Sequence, residues 1–490
     1  VLPPYDPANE DAFWSGIKRI RGYPEGNPDR LIDLMLFKSG SLFELPGVLN
    51  RLGAKPPRPL LVVMDQTPMR RGEESLKPLL LRVAEGAGWK PEPLVLTPVT
   101  GERVRTDMAQ INAVMARLNR KTAVISLGSG SITDIVKQAC HDFEKKTGYH
   151  LLYVCCPTAI SMGAYTSNAA TVFVRGVKRS LESRLPEALV YDLETLRDAP
   201  YQMTVAGVGD MIACMVSFAD YLLAHRLGMD PSYSEFQQTL MGPVDDFFLE
   251  HADRIRMGDL EGLSLQARFL AAAGVGNALL GATTSLSGYE HVISHLIDQQ
   301  SEFAGKVPAF HGTQVALATL LVSQTYRYFL YNFKPAEVDL ERCYPTNATM
   351  KRRIESAFAA MDPSGAAAAE CWEDYRIKLH AWHDRRPDFE DFLAHWPEIS
   401  KRIAQLLKPT ERIARILARL GSPLSFDELE PSVSEEQVRF AFLNAPLIRR
   451  RTTLGDLLLF LGWDREKLWN RVWTELHTVI ESAQRLRDRQ

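Results

Sequence analysis

The chain has little that would mark it for a membrane, for nucleic acid or for the oxidising exterior. Its six cysteines, Cys140, Cys155, Cys156, Cys214, Cys343 and Cys371, form no CxxC pair. That excludes a zinc ribbon and gives no disulfide framework, so a reducing, cytoplasmic setting fits. A net charge of -3 over 490 residues, without blocks of like charge, leaves no footprint for nucleic acid and no interaction tail. The opening VLPPYDPANED lacks a basic region followed by an apolar one, so no signal peptide is expected. The longest apolar stretch, residues 269–286, is broken by Asn277 and many small residues and is short for a membrane span. It reads as a helix buried among other helices. There is no internal repeat, no long disordered tract and no GxGxxG fingerprint.

What is present begins with short apolar runs. PLLVVMD (59–65) reads as a buried parallel strand, and PEPLVLTP, TAVISLG (122–128) and LLYVCCPT (151–158) as further strand candidates. Helical stretches such as ESLKPLLLRVAEGAGW and DMAQINAVMARLNR separate them, so a parallel sheet with helices on its faces is expected. Ligands of such sheets lie at the carboxyl ends of the strands. After about residue 200 the strand signals fade and long helical patterns take over. The expected organisation is an α/β part over 1–200 and a helical part over 201–490. A Trp-rich, charged segment at about 345–435 reads as a helical insertion, with Trp372, Trp382 and Trp396 packing between helices.

Two groups of residues carry chemistry. Gly128 and Gly130, directly after the 122–128 strand, permit a sharp turn and close approach of a ligand. Ser131 and Asp134 have capping-box spacing, so a helix is expected to start there, with its free N–H groups and dipole available to phosphate oxygens. The second group is Asp210 in AGVGDM, His291 and His295 four apart in SGYEHVISH, and His311 in HGTQVA. Asp210 is expected at the start of a helix, and His291 and His295 on one helix face. One carboxylate and two imidazoles are a common ligand set for a catalytic divalent metal. Spacing alone does not bring these segments together.

The ordered motifs GSGSITD, PTAISMGAYTS, GVKRS, AGVGDM, SGYEHVISH and HGTQVA resemble the sn-glycerol-1-phosphate dehydrogenase family, its bacterial branch in particular. That family belongs to the dehydroquinate synthase-like and iron-containing alcohol dehydrogenase-like group. The resemblance covers about 60–335 and resumes near residue 446 in APLIRRRTTLGDLLLFLG. It implies a dehydroquinate synthase-like fold, an α/β NAD(P)-binding domain followed by an all-α domain, with the active site between them. It implies Asp210, His291 and His311 as metal ligands, with zinc as the first choice and nickel or iron compatible. His295 would be the catalytic or substrate-phosphate residue. Gly128, Ser129, Gly130 and Asp134 would lie along the cofactor pyrophosphate, and Thr158 and Ser161 would line the cofactor. Asp65 would accept from ribose hydroxyls and favour NAD over NADP.

The implied reaction interconverts dihydroxyacetone phosphate and sn-glycerol 1-phosphate, in a cytoplasmic homodimer with no membrane span and no nucleic-acid partner. Gly163 stands where the family pattern, approximately SMDGYAS, has an aspartate beside the substrate. Cys214 stands where many bacterial relatives have lysine. The alternatives are a catalytically altered relative acting as a binding protein, and a sugar-phosphate cyclase. The second is disfavoured because those enzymes use a glutamate ligand with a lysine close after it.

Overall fold

The computed structural model describes residues 5–99, 103–174 and 177–488. The first four residues and Gly176 of GVKRS lie outside the described residues. The main sheet has six strands, all parallel: β1 (Leu34–Lys38), β2 (Leu60–Asp65), β3 (Pro91–Leu96), β4 (Ala123–Gly128), β5 (Leu152–Pro157) and, after a hairpin, β8 (Ala188–Asp192). The hairpin pairs β6 (Ala169–Val174) with β7 (Val177–Glu182). The four strands expected from apolar runs are present within a residue or two. The sequence reading missed β1, β8 and the hairpin, the first two because five-residue strands leave little pattern to read.

Spatial order across the sheet is β1-β8-β5-β4-β2-β3. The chain therefore runs from β2 outward to β3, then crosses back over β2 to β4. The connections diverge between β2 and β4, and their carboxyl ends open a crevice there. Asp65 ends β2 and Gly128 ends β4, so the topology sets both at its mouth. Strands β4 and β5 are buried along their whole length, as a sheet covered on both faces requires.

After β8 the described chain is helical. Two helical stretches, Tyr201–Arg226 and Leu260–Leu280, are long and apolar enough to cross a membrane, but 94% and 89% of their apolar windows are buried inside the protein. The second is the apolar run noted above, buried on nearly every side; Gly281, at φ 62°, ends it, and residues 282–286 leave the helix. The 345–435 segment is helical, with Trp382 stacked on Phe460 at 4.5 Å and Trp396 edge-on to Phe333 at 4.8 Å. Both tryptophans are buried, and Trp372 is partly so.

A buried ion pair locks this segment to the C-terminal helices. Lys378 and Asp456 are both fully buried, 2.5 Å apart. Lys378 also donates to the Pro446 carbonyl, and Asp456 accepts from the Thr453 amide. Removing one partner strands a charge in the core. Lys378→Met should cost about 3–5 kcal/mol, and K378M/D456N should regain part of it. Denaturant unfolding of both variants checks this; a single-mutant loss below about 1 kcal/mol would contradict a buried, charged pair.

Candidate functional site

Three helices bring the acid and the imidazoles together. Asp210 sits near the end of α2 (Tyr201–Ile212), His291 in the first turn of α4 (Tyr289–Phe303), and His311 opens α5 (His311–Asn332). Asp210 was expected at a helix start; it lies in the last turn because AGVGDM continues a helix already running from Tyr201. One ligand atom from each residue lies within 4.8 Å of the others.

Glycines make this convergence possible. A Cβ on Gly209 would lie 2.1 Å from the Gly312 carbonyl oxygen, and one on Gly312 would lie 1.8 Å from the Ala206 oxygen. Helices α2 and α5 therefore meet backbone to backbone. The residues next to the two glycines, Asp210 and His311, are drawn together as a result. Gly207 is likewise pressed on the Ile160 carbonyl, which pulls in the loop after β5. In that loop, the Gly163 amide donates to Asp210 Oδ2 at 2.9 Å.

The other Asp210 oxygen faces the imidazoles, 3.2 Å from His291 Nε2 and 4.0 Å from His311 Nε2. His291 Nδ1 is held by Glu290 at 2.9 Å, and His311 Nδ1 by the Ser294 hydroxyl at 3.0 Å. Both outer nitrogens are thus engaged, and both Nε2 atoms turn to one point. That is how histidine ligands are oriented from behind, so the donor set fits a divalent cation. Burial alone would raise the Asp210 carboxyl, but His291, His311 and the Gly163 amide outweigh it and hold it below its usual range. Burial, with Lys178 and His291 nearby, pushes His311 down to about 4, which keeps that ring neutral. For His291, burial is outweighed by the hydrogen bonds to Asp210 and Glu290, and its pKa is raised.

His295 lies one turn after His291 and stacks on His311 with centroids 5.2 Å apart. Its Nδ1 accepts from Arg449 at 2.9 Å. Burial, then Arg449 and His311, hold its pKa well below the ordinary value. The neutral ring must therefore carry its proton on Nε2.

At the sheet end, α1 (Gly130–Thr147) starts directly after β4 with Ser129 as N-cap. The expected capping box on Ser131 does not form. Asp134 is drawn inward instead, 2.9 Å from Lys137 and accepting from the Thr171 amide at 3.1 Å. Its carboxylate braces the hairpin and is not free at the helix start. The Gly130 Cβ position lies 2.1 Å from Met162 Sδ, so this glycine admits the Met162 side chain. Thr158 is buried, and its amide donates to the Gly128 carbonyl at 3.1 Å, which keeps it beside the glycine turn; Ser161 lies three residues on. Asp65 accepts from the amide and hydroxyl of Thr67 and lies 3.4 Å from Lys77.

Sequence reasoning missed Lys137 and Arg449. Fully buried Lys137 donates to the carbonyls of Ala164 at 2.8 Å and Ser167 at 3.3 Å, fixing the loop that carries Gly163. The Asp134–Lys137 pair, three residues apart and so on one face of α1, was the available signal. Arg449 had none, because its contact with His295 spans 154 residues.

Comparison with known proteins gives a consistent picture. Residues 36–200 match the family model described as iron-containing alcohol dehydrogenase. A glycerol-1-phosphate dehydrogenase [NAD(P)+] of Bacillus subtilis is 30% identical over 75% of this chain and 77% of its own length. The same-named protein of Bacillus velezensis is 29% identical over 55% of this chain and 67% of its own length. Among solved structures, glycerol dehydrogenase from Schizosaccharomyces pombe superimposes with a TM-score of 0.55 at 12% identity, over 93% of this chain and 91% of that one. That likeness supports the fold class expected from the sequence.

The glycine crossing generates a prediction. Gly312→Ala drives a methyl into the Ala206 carbonyl, so α5 must move. Stability should fall by about 3 kcal/mol or more, and bound divalent metal, measured by elemental analysis, should fall with it. Full metal content at unchanged stability would contradict the crossing as drawn.

Proposed function

The chain belongs to the glycerol-1-phosphate dehydrogenase family, and from that premise we propose that it interconverts dihydroxyacetone phosphate and sn-glycerol 1-phosphate, or a closely related phosphorylated polyol, using a divalent metal. It is an NAD(P)-dependent oxidoreductase. The observation that carries the metal-dependent reading is the convergence of Asp210, His291 and His311 with both outer imidazole nitrogens engaged.

In this reading Asp210, His291 and His311 hold the metal, with zinc first and nickel or iron compatible. A bound divalent metal supplies Lewis acidity to the substrate oxygen, and the nicotinamide supplies or takes the hydride. The protein's part is alignment and polarity. The Gly163 amide fixes the rotation of the Asp210 carboxylate, and Lys137 fixes the loop bearing that amide. His295 presents a neutral Nε2–H, suited to hydrogen-bonding a substrate oxygen; proton delivery then falls to that bond or to water. The glycine turn and the start of α1 offer backbone N–H groups to the cofactor pyrophosphate. Gly128, Ser129, Gly130, Thr158 and Ser161 line that side.

Asp65 sits where a ribose would be met. Lys77 beside it offsets its charge, so the bias against a 2'-phosphate is mild, and NADP remains usable alongside NAD. The homodimer and the cytoplasmic setting belong to the same reading.

Gly163 supports a second reading, an altered relative. A Cβ there would stand 3.8 Å from Asp210 Oδ2 with nothing closer, so the backbone leaves room for a side chain where this chain has none. The purified protein, supplied with zinc, nickel or iron, should consume NADH when given dihydroxyacetone phosphate. His291→Ala should lose both metal and turnover. Absence of nucleotide binding and of turnover with every metal would overturn the enzyme reading. Activity that appears only in Gly163→Asp would favour the altered relative.

A further inference from the structure

Three consecutive arginines, Arg449, Arg450 and Arg451, follow the short turn Ala445–Ile448. Their fates differ. Arg450 is exposed and donates to Asp374 at 2.8 Å. Arg451 binds the Ser287 carbonyl and, at 3.1 Å, the Thr283 hydroxyl. Arg449 turns inward and donates to a single neutral acceptor, His295 Nδ1. Among the described residues no carboxylate lies within ion-pair distance of it. Asp374 attracts it, but that carboxylate is already shared by Arg179 and Arg450.

A guanidinium offers five donors, and one is used here. Arg449 is half-buried, and drawing its charge partly out of water is unfavourable unless an opposite charge is met. Burial, with Arg451 and Arg179 close by, pushes its pKa down to about 9, the mark of a cation short of counter-charge. Lys178, paired with Asp298, is a second cation near the same imidazoles. Arg449 reaches His295, one helical turn (about 5.4 Å) beyond His291, which is the scale of a three-carbon chain. The side of the site lined by Arg449 and Lys178 therefore holds two cations against one carboxylate, Asp298, which is engaged by Lys178.

We infer that Arg449, assisted by Lys178, grips the anionic end of the substrate and makes the site select a phosphorylated substrate over an uncharged polyol. This rests on the reading above and names the residue that decides its substrate class. Arg450 and Arg179, neutralised by Asp374, orient the arginine run without meeting the substrate.

The test is calorimetric binding of inorganic phosphate to the full chain, with and without zinc, for wild type, Arg449→Gln, Arg449→Lys and Arg450→Gln. Metal content and thermal unfolding are measured in parallel. Arg449→Gln should weaken phosphate about 10- to 100-fold, the range of a charge-assisted hydrogen bond. Arg449→Lys should fall between, since a point charge replaces a fork, and it carries the test if the glutamine variant does not fold. Arg450→Gln should bind as wild type does, and NADH affinity should be unchanged throughout, separating substrate phosphate from cofactor phosphate. Equal phosphate binding in folded, metal-loaded Arg449→Gln, or none in wild type, overturns the inference. If phosphate binding depends on Arg449 but dihydroxyacetone phosphate is not turned over, the inference stands and the reaction assignment falls. If turnover persists with an unchanged KM in Arg449→Gln, the reverse holds.

Discussion

The contact between Gly209 and Gly312 is the constraint on which the site depends. Two buried helices touch through bare backbone, closer than any side chain would allow. The ligand-type residues are the immediate neighbours of these glycines, so helix packing itself sets the gap between Asp210 and His311. Gly207 extends the same contact to the loop after β5, and Gly163 in that loop completes the environment of Asp210. The carboxyl end of the sheet and the helical part thus share one closely packed junction.

Around that junction the protein buries charge in two ways. Lys137 and Lys378 are enclosed with partners for their ammonium groups, which are carbonyl oxygens and one carboxylate each. These pairs join segments far apart in sequence: the glycine-turn helix to the Gly163 loop, and the 345–435 segment to the C-terminal tail. Arg449 is the contrast, a guanidinium held against a neutral imidazole. Unlike those two lysines, Arg449 meets no carboxylate among the described residues and stands beside the imidazoles of the site.

Much of the fold could be read from residue order. Apolar runs bounded by turn residues located β2, β4 and β5, because strands buried on both faces need continuous hydrophobic sequence; β3, a mostly exposed edge strand, was located by its short run alone. Strands β1 and β8 escaped because five residues carry too little periodicity. The hairpin of β6 and β7 escaped because partly exposed, charged strands resemble loops. The candidate metal residues were named from type and spacing, aided by resemblance, while Asp134 was misread as facing a ligand. Its spacing from Ser131 suits a cap, but Lys137 one turn on offers a stronger bond.

The sequence by itself determined the kinds of element, the glycine turn after the fourth strand, and the identity of one acid and three histidines available for chemistry. These follow from local periodicity and side-chain type, which need no partner segment. Tertiary structure alone decided which residues meet. It brought Asp210 to 3.2 Å from His291, 81 residues away in sequence. It also turned Arg449 onto His295 across 154 residues. Those contacts come from helices packing at backbone distance and from buried charge seeking partners, and both act across segments that no local pattern connects.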